Sequence, residues 1–477
     1  MTCQSVVIVG SGIAGIYSAL LAKTKYPNAY ISLVEKSEQL GGLLSSKKID
    51  GHWFDYGTHV PRYTGDTDID ALLFSSINLS DYWQFQNINA ANVGPFNTLY
   101  TDSPNPFLGS KANTQLAQQL LELTQENNDT RYHEQNFDSL KSQLDATYGP
   151  NLTKNFFAPL MNKRFGACLS EMATDSHKII GLQRLILGDG ELMRKLKGSP
   201  RLDEILAFAS QEEGLSPFKN IYPKGDKGIH VWIDSLVANL ENCGVNIYTQ
   251  TGITELNMTD DRVIKGVVLS SGQRIDCNLL VWTAPLNMLI QSAKLTYMPS
   301  TRPIFRTSSL YHFVFPDPPK ISSNYVNVHD PAFSSFRVTL YSNLAKTTTD
   351  AHRVTVEVMH DIEAPAPSRE SICQELYDMG IMPVTSRPSL THVLAASSGF
   401  PVLTPAFKKE MGEQEKLVET KIANVVTLGK ASGTAFFMAD VLKEAKCKLN
   451  QYFERNFDDH NEGNIDKSRQ AVSNLSS

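Results

Sequence analysis

No apolar run in the 477-residue chain approaches the roughly 18 residues of a membrane-spanning helix, so no span is expected. Cysteine is sparse: Cys3, Cys168, Cys243, Cys277, Cys373 and Cys447 stand far apart. No pair has the spacing of a metal site or a redox motif, which predicts reduced thiols and no metal centre. Positive charge is also short. Lys and Arg number 44 against 50 Asp and Glu, for a net charge of −6, so the composition gives no polybasic surface. That balance argues against nucleic acid or an anionic membrane as the main partner. An apolar strand begins within the first ten residues. It leaves no room for a leader peptide, and a cytoplasmic location is the expectation.

What is present is an ordinary globular composition, 41% hydrophobic and 20% charged. The length calls for two or three domains. The most informative stretch is at the start. Val6, Val7, Ile8 and Val9 read as a short buried strand. Gly10-Ser11-Gly12-Ile13-Ala14-Gly15 reads as a glycine-rich turn, and an apolar-periodic run at 16–23 reads as a helix. Gly10, Gly12 and Gly15 fit the G-x-G-x-x-G pattern of a dinucleotide-binding βαβ unit. Gly10 permits the tight turn, Gly12 lets the backbone approach a pyrophosphate, and Gly15 lets helix and strand pack closely. The helix N-terminus offers free N–H groups and a positive dipole end to the phosphates. A second strand at 30–34 ends in Glu35, 20 residues beyond Gly15. A carboxylate there can accept ribose hydroxyls; the alternative is a solvated acid at a strand end.

Lys36 opens the next loop, which runs through Leu40, Gly41, Gly42 and Leu43. This Gly-Gly pair just past the acid resembles the extended fingerprint of the flavin amine oxidase superfamily, whose loop follows the flavin diphosphate. Many members carry Arg where Leu43 stands. The resemblance implies noncovalent FAD.

The chain returns to nucleotide-domain character twice. Residues 1–65 form its first part. Residues 66–220 read as a mostly helical insertion and substrate region, with helical spacing at 113–128 and 203–213. Packing accounts for the aromatics of 156–166. Residues 221–294 carry a helix, a strand, a hairpin and the run 279–285, which reads as a buried parallel strand ending in a loop. Residues 295–400 alternate strand-like runs and read as a β-sheet substrate domain. Residues 401–455 hold a strand ending in Gly429, a small-residue turn and a last helix that begins near Phe437 and Met438. The polar tail 456–477 is expected to be disordered. The fold class is therefore α/β: a Rossmann-type FAD-binding domain with an inserted helical region and a β-sheet substrate domain.

Taken together, these segments resemble the branch containing UDP-galactopyranose mutase and protoporphyrinogen-oxidase-like proteins. The segment Gly57-Thr58-His59 looks like the mutases' Gly-Gly-His stretch at the flavin, with Thr58 replacing a glycine. Phe336 to Asn343 looks like the strand whose arginine contacts the substrate diphosphate, which makes Arg337 the candidate. Arg184 could match a second such arginine by position; the alternative is a surface residue. With His59, these are the candidate catalytic residues. The cofactor contacts implied are Gly10, Gly12, Ile13, Ala14, Gly15, Glu35, Lys36, Gly41, Gly42, Leu43, Gly57, Thr58, His59, Ile253, Gly429, Phe437 and Met438. The chain departs from the mutases near its end. Lys430 replaces an arginine, and Phe436 and Phe437 stand where tyrosines would donate hydrogen bonds. The expectation is an FAD-dependent oxidoreductase passing hydride from a small molecule, possibly a nucleotide sugar, to flavin N5. The alternatives are a mutase-like isomerase using reduced FAD, and a flavin-binding protein without catalysis.

Overall fold

The structure, a computed structural model, describes residues 4–95, 97–108, 118, 136–209, 212–346, 350–395, 400–429 and 437–457. Apart from residue 118, the helical spacing read at 113–128 lies outside the described residues, as do the tail beyond 457, Lys430 and Phe436.

A five-stranded parallel sheet forms the first layer. Its order is Val425–Thr427, Leu279–Trp282, Ser5–Val9, Tyr30–Val34, Asn246–Tyr248. Val6 pairs with both Leu279 and Ile31, so the amino-terminal strand lies in the centre. Alternation along that strand loads both faces. Val6 and Ile8 enter a core with Ile16, Leu20, Trp232, Leu236, Leu442 and Leu449 from the helices Ile13–Lys25, His230–Asn242 and Met438–Asn456. Val7 and Val9 enter a second core with Leu280, Trp282 and Leu289. Burial on both faces is why these strands read as continuous apolar runs.

The second large sheet is mixed. Its order is Leu390–Ala395, Phe305–Phe315, His352–Asp361, Ser335–Leu340, Tyr325–Val328, Ala90–Gly94, Thr98–Tyr100. The region 66–220, read as mostly helical, thus donates two strands to this sheet. A third, Tyr82–Phe85, pairs with Asn220–Pro223. One face of the large sheet is apolar: Val93, Phe313, Val326, Val338, Val354 and Val356 pack under Ile372 and Leu376. The opposite face carries Tyr325, Arg337, Thr339, Thr355 and Glu357, which the register places side by side. This polar face meets the nucleotide domain. The Asp55 N–H donates to the Tyr341 hydroxyl at 2.9 Å, and Arg353 donates to the Trp53 carbonyl.

Two local expectations change. The helix read at 203–213 is confined to Pro200–Ile205. Leu206 turns extended because it bridges to Leu185, and Leu206 and Ala207 are thereby fully buried. The strand read through Tyr341 ends at Leu340; Tyr341 opens a short helix, so it does not continue the face of Arg337 and Thr339. The aromatics Phe156, Phe157 and Phe165 do sit in a core, that of the helical region.

Three histidines are buried in these layers and held neutral. Burial pushes His177 down to about 4 and His312 and His329 down to about 3. An unfolded histidine titrates near 6.5, so each contributes stability that is full above that pH and falls away below it. The loss is about 1.4 kcal/mol per pH unit for each histidine until its folded value is reached. At pH 5 that amounts to roughly 2 kcal/mol apiece. Denaturant midpoints measured from pH 7 to pH 5 should therefore fall steeply, and His312→Gln should flatten the slope. A slope left unchanged by His312→Gln would contradict its neutral burial.

Candidate functional site

The site grows from the turn after the central strand. Gly10 adopts a left-handed φ of 95°, and its N–H donates to the Val34 carbonyl at 2.8 Å. A Cβ at Gly15 would stand 1.9 Å from the Gly10 carbonyl oxygen, so only glycine lets the helix Ile13–Lys25 sit this close. Gly12 behaves differently. A Cβ there would meet no protein atom within 4 Å. Gly12 is also the helix N-cap, without a side-chain cap, and the first turn carries no acid. The result is an open cradle facing unsatisfied N–H groups and a positive dipole end.

Other segments close on this cradle. Gly41 donates its N–H to the Ser11 carbonyl at 2.9 Å, and a Cβ on Gly42 would lie 3.5 Å from Gly12 Cα. The Gly-Gly loop therefore rests against the glycine-rich turn. From the far end of the chain, Gly429 stands with φ of 68°, where a Cβ would lie 3.7 Å from that of Ala14. Glu35 is 9% exposed. Its carboxylate accepts the Ser11 N–H at 2.8 Å, the Ser11 hydroxyl at 2.7 Å and the Ser37 N–H at 2.8 Å. Burial pushes its pKa up, but these donors outweigh it and hold the carboxyl below its ordinary range. Thr251 donates its N–H to the Glu35 carbonyl at 2.9 Å, which brings Ile253, two residues on, to the same edge. These features fit a dinucleotide cofactor.

The second half of the site lies against the polar face of the mixed sheet. Gly57 has φ of 104°, and a Cβ there would fall 2.8 Å from Glu357 Oε2. The Thr58 N–H donates to Glu357 Oε1 at 3.0 Å, and the Thr58 and Thr339 hydroxyls are 2.5 Å apart. Arg337 donates to Glu357 twice, from Nε at 2.5 Å and Nη2 at 2.8 Å. Burial pushes the Glu357 carboxyl up, but Arg337 outweighs it and keeps it ionised below the ordinary range. His59 bonds through Nε2 to the Tyr56 carbonyl at 3.2 Å and contributes to the field at Glu357. Behind them, Asp55 accepts from Ser46, Tyr222 and the Ile229 N–H at 2.6, 2.6 and 2.9 Å.

The structure thus gathers Gly10 to Gly15, Glu35, Gly41, Gly42 and Gly429 around the cradle, while Ile253 packs against the core that holds Val7 and Val9. Gly57, Thr58, His59 and Arg337 gather at the sheet. Lys36 and Leu43 are exposed on the rim loop. Phe437 is 48% exposed at the N-cap of the helix that Met438 begins. Arg184 does not join Arg337. It is exposed beside Asp203 and Glu213, because its neighbours Leu185 and Ile186 take the buried side of the chain. The guanidinium brought to Arg337 is Arg164. Sequence reasoning did not single out Arg164, Glu357 or Asp55. A signal for Glu357 existed: it is the acid set among the valines in the middle of the alternating run His352–Asp361.

The family described as the NAD(P)-binding Rossmann-like domain matches residues 8–71. Coproporphyrinogen III oxidase of Staphylococcus aureus is 24% identical over 306 residues, which are 59% of this chain and 60% of that protein. The chain therefore spans less than two thirds of that relative's length. Among solved structures, reduced UDP-galactopyranose mutase matches with a TM-score of 0.71 at 13% identity, covering 95% of this chain and 94% of the mutase. A provisionally assigned protoporphyrinogen oxidase from Exiguobacterium sp. matches with a TM-score of 0.66 at 17% identity, covering 95% and 100%. The Rossmann-like match at the amino-terminal motifs is therefore accompanied by a likeness of fold along nearly the whole chain, which has the architecture of these two solved structures.

Proposed function

We propose that the protein is an FAD-dependent oxidoreductase acting on a small molecule. The observation that carries this reading is the open cradle at Gly12, closed on three sides by the Gly41-Gly42 loop, Glu35 and Gly429. Bound FAD supplies the ring that accepts hydride from the substrate. The helix N-terminus at Gly12 would hold the pyrophosphate, Glu35 the ribose, and Gly57 to His59 the segment beside the substrate. Arg337 bears on the choice between redox and sugar-nucleotide chemistry. Its bidentate bond to Glu357 already gives the guanidinium a counter-ion, which supports an oxidoreductase over a mutase-like isomerase that needs this arginine for a diphosphate. The oxidase name of the curated relative points the same way.

The test begins with the cofactor. The purified protein should carry noncovalent flavin. Glu35→Ala should weaken FAD binding by about ten- to a hundredfold, since charge-assisted bonds are worth about 1.5–3 kcal/mol and a decade of affinity 1.4. Titration of the apoprotein checks this. Unchanged affinity would reduce Glu35 to a brace for Ser11 and Ser37. Anaerobic bleaching of the flavin by candidate reductants then identifies the substrate, and a flavin that no small molecule bleaches would sink the redox assignment.

A further inference from the structure

A cavity of about 410 Å³ lies at the end of the mixed sheet, apart from the site described above. It exists because two neighbouring strands stop at different places. The strand Ser335–Leu340 starts at Ser335, opposite Val358. Its partner His352–Asp361 runs on past that point, where it is paired on its other side, Met359 with Ser308 and His360 with Thr307. The helix Ala158–Phe165 and the loop 331–334 stand over the edge this leaves. Apolar walls come from Pro159, Ala332, Phe333, Val358 and Met359. None of the cradle residues lines the cavity, nor do Gly57, Thr58 or His59.

Lys163 brings an amine into this space. Pro159, Asn162 and Lys163 have the spacing of one helix face, and all three line the cavity. Lys163 Nζ donates to the Asp330 carbonyl at 2.7 Å and to the Val328 carbonyl at 3.3 Å. A neutral amine has two N–H groups and one lone pair. The two carbonyls occupy both N–H groups and leave the lone pair over. The carboxylates of Asp330 and Glu375 attract Lys163 through space, anchored by the N–H groups of Asn97 and Ala332 and of Ser334 and Ser335. Burial, helped by the neighbouring Arg164, outweighs that attraction and brings Lys163 down to about 7. The free base that a nucleophilic lysine requires is therefore present at neutral pH. His329, which also feels Lys163, is held neutral. His360 lines the same cavity, but both its ring nitrogens are bonded, to the Ser309 hydroxyl at 2.8 Å and the Asp361 carbonyl at 2.9 Å.

We propose that Lys163 is a covalent site for small apolar aldehydes, captured as a protonated imine inside this cavity. The lone pair attacks the carbonyl carbon and a C–N bond forms. The carbonyl oxygen leaves as water, with one proton from the amine and one from solvent. Nothing is oxidised or reduced. One N–H remains on the nitrogen, enough to keep the shorter bond to the Asp330 carbonyl while the longer one to Val328 is given up. The positive charge of the product sits in the field of Asp330 and Glu375. The alkyl chain is covered by the apolar walls.

The experiment is reductive trapping on the full-length protein with butanal and cyanoborohydride, read by peptide mass mapping. At pH 7 Lys163 should be butylated at least about tenfold faster than the exposed Lys195 and Lys409, because an ordinary lysine titrates at about 10.4 and is almost wholly protonated there. The rate at Lys163 should level off just above neutral pH, while labelling of the exposed lysines keeps rising to pH 9. Lys163→Arg should remove the label. Ala332→Trp, a change on the exposed loop, should fill the cavity and slow labelling of Lys163 without altering that of Lys195 or Lys409. It carries the test if the Arg variant is insoluble. The proposal is overturned if Lys163 is labelled no faster than Lys195 and Lys409. It is equally overturned if Ala332→Trp leaves the Lys163 rate unchanged.

Discussion

Gly12→Val is expected to give a folded, colourless protein, and Gly15→Val a protein that does not fold. The two glycines belong to one motif but meet different surroundings. At Gly15 a Cβ would stand 1.9 Å from the Gly10 carbonyl oxygen, a backbone atom that cannot move without breaking the strand–turn–helix join. The strand it joins is the centre of the parallel sheet, so the clash acts on the core of a structure with only about 5–15 kcal/mol to lose. At Gly12 a Cβ meets no protein atom within 4 Å, and the backbone is already extended with φ of −62° and ψ of 174°. Valine is therefore tolerated by the fold and occupies the space in front of the helix N-terminus. FAD affinity should drop at least about a hundredfold, or about 2.8 kcal/mol at 1.4 kcal/mol per decade. Far-ultraviolet circular dichroism and visible absorbance of the two variants separate the effects. A Gly12→Val protein with full flavin would remove the cradle from consideration, and a stably folded Gly15→Val would contradict the packing at the turn.

Arg337→Met should destabilise the protein by about 3–5 kcal/mol, the cost of stranding one partner of a buried ion pair. The pair is asymmetric. The Glu357 side chain is 6% exposed and the Arg337 side chain 30%. Removing the arginine leaves a carboxylate pressed against Gly57 with little access to water. Removing the acid leaves a guanidinium that can still reach solvent. Glu357→Gln should therefore cost less, about 1–3 kcal/mol, and its amide oxygen can still accept the Thr58 N–H. Urea unfolding of both single variants and the Arg337→Met/Glu357→Gln double variant checks this, and the double should be less destabilised than the sum of the singles. Additive losses, or an Arg337→Met protein as stable as wild type, would mean the pair is not coupled in the fold.

The amino-terminal motif was legible because its physics is local. Gly10, Gly12, Gly15, Glu35, Gly41 and Gly42 act through backbone conformation and short spacing, and their geometry is set within a few dozen residues. The five parallel strands were legible for a related reason. Burial on both faces forces continuous apolar runs such as Val6 to Val9 and Leu279 to Trp282, wherever they lie in the chain. The strands at 82–85, 90–94 and 98–100 were not legible. They are short, sit inside a helical neighbourhood, and gain their order from distant partners at 220–223 and 325–328.

The charged face of the mixed sheet depended on tertiary structure throughout. Arg337 could be placed on a strand from the run around it, but whether its charge was free or spoken for depended on Glu357, 20 residues away on the next strand. Arg164 read as one cation among packing aromatics. It became a buried charge only when the helix Ala158–Phe165 docked onto the sheet and set it over Phe336 beside a second arginine. Arg184, nominated by position, turned outward when Leu185 and Ile186 took the buried side. By itself the sequence determined the nucleotide-binding unit, because turn geometry and strand burial are written in adjacent residues. Only the tertiary structure decided which charges meet on the polar face of the mixed sheet, because ion pairing there joins side chains that share no stretch of sequence.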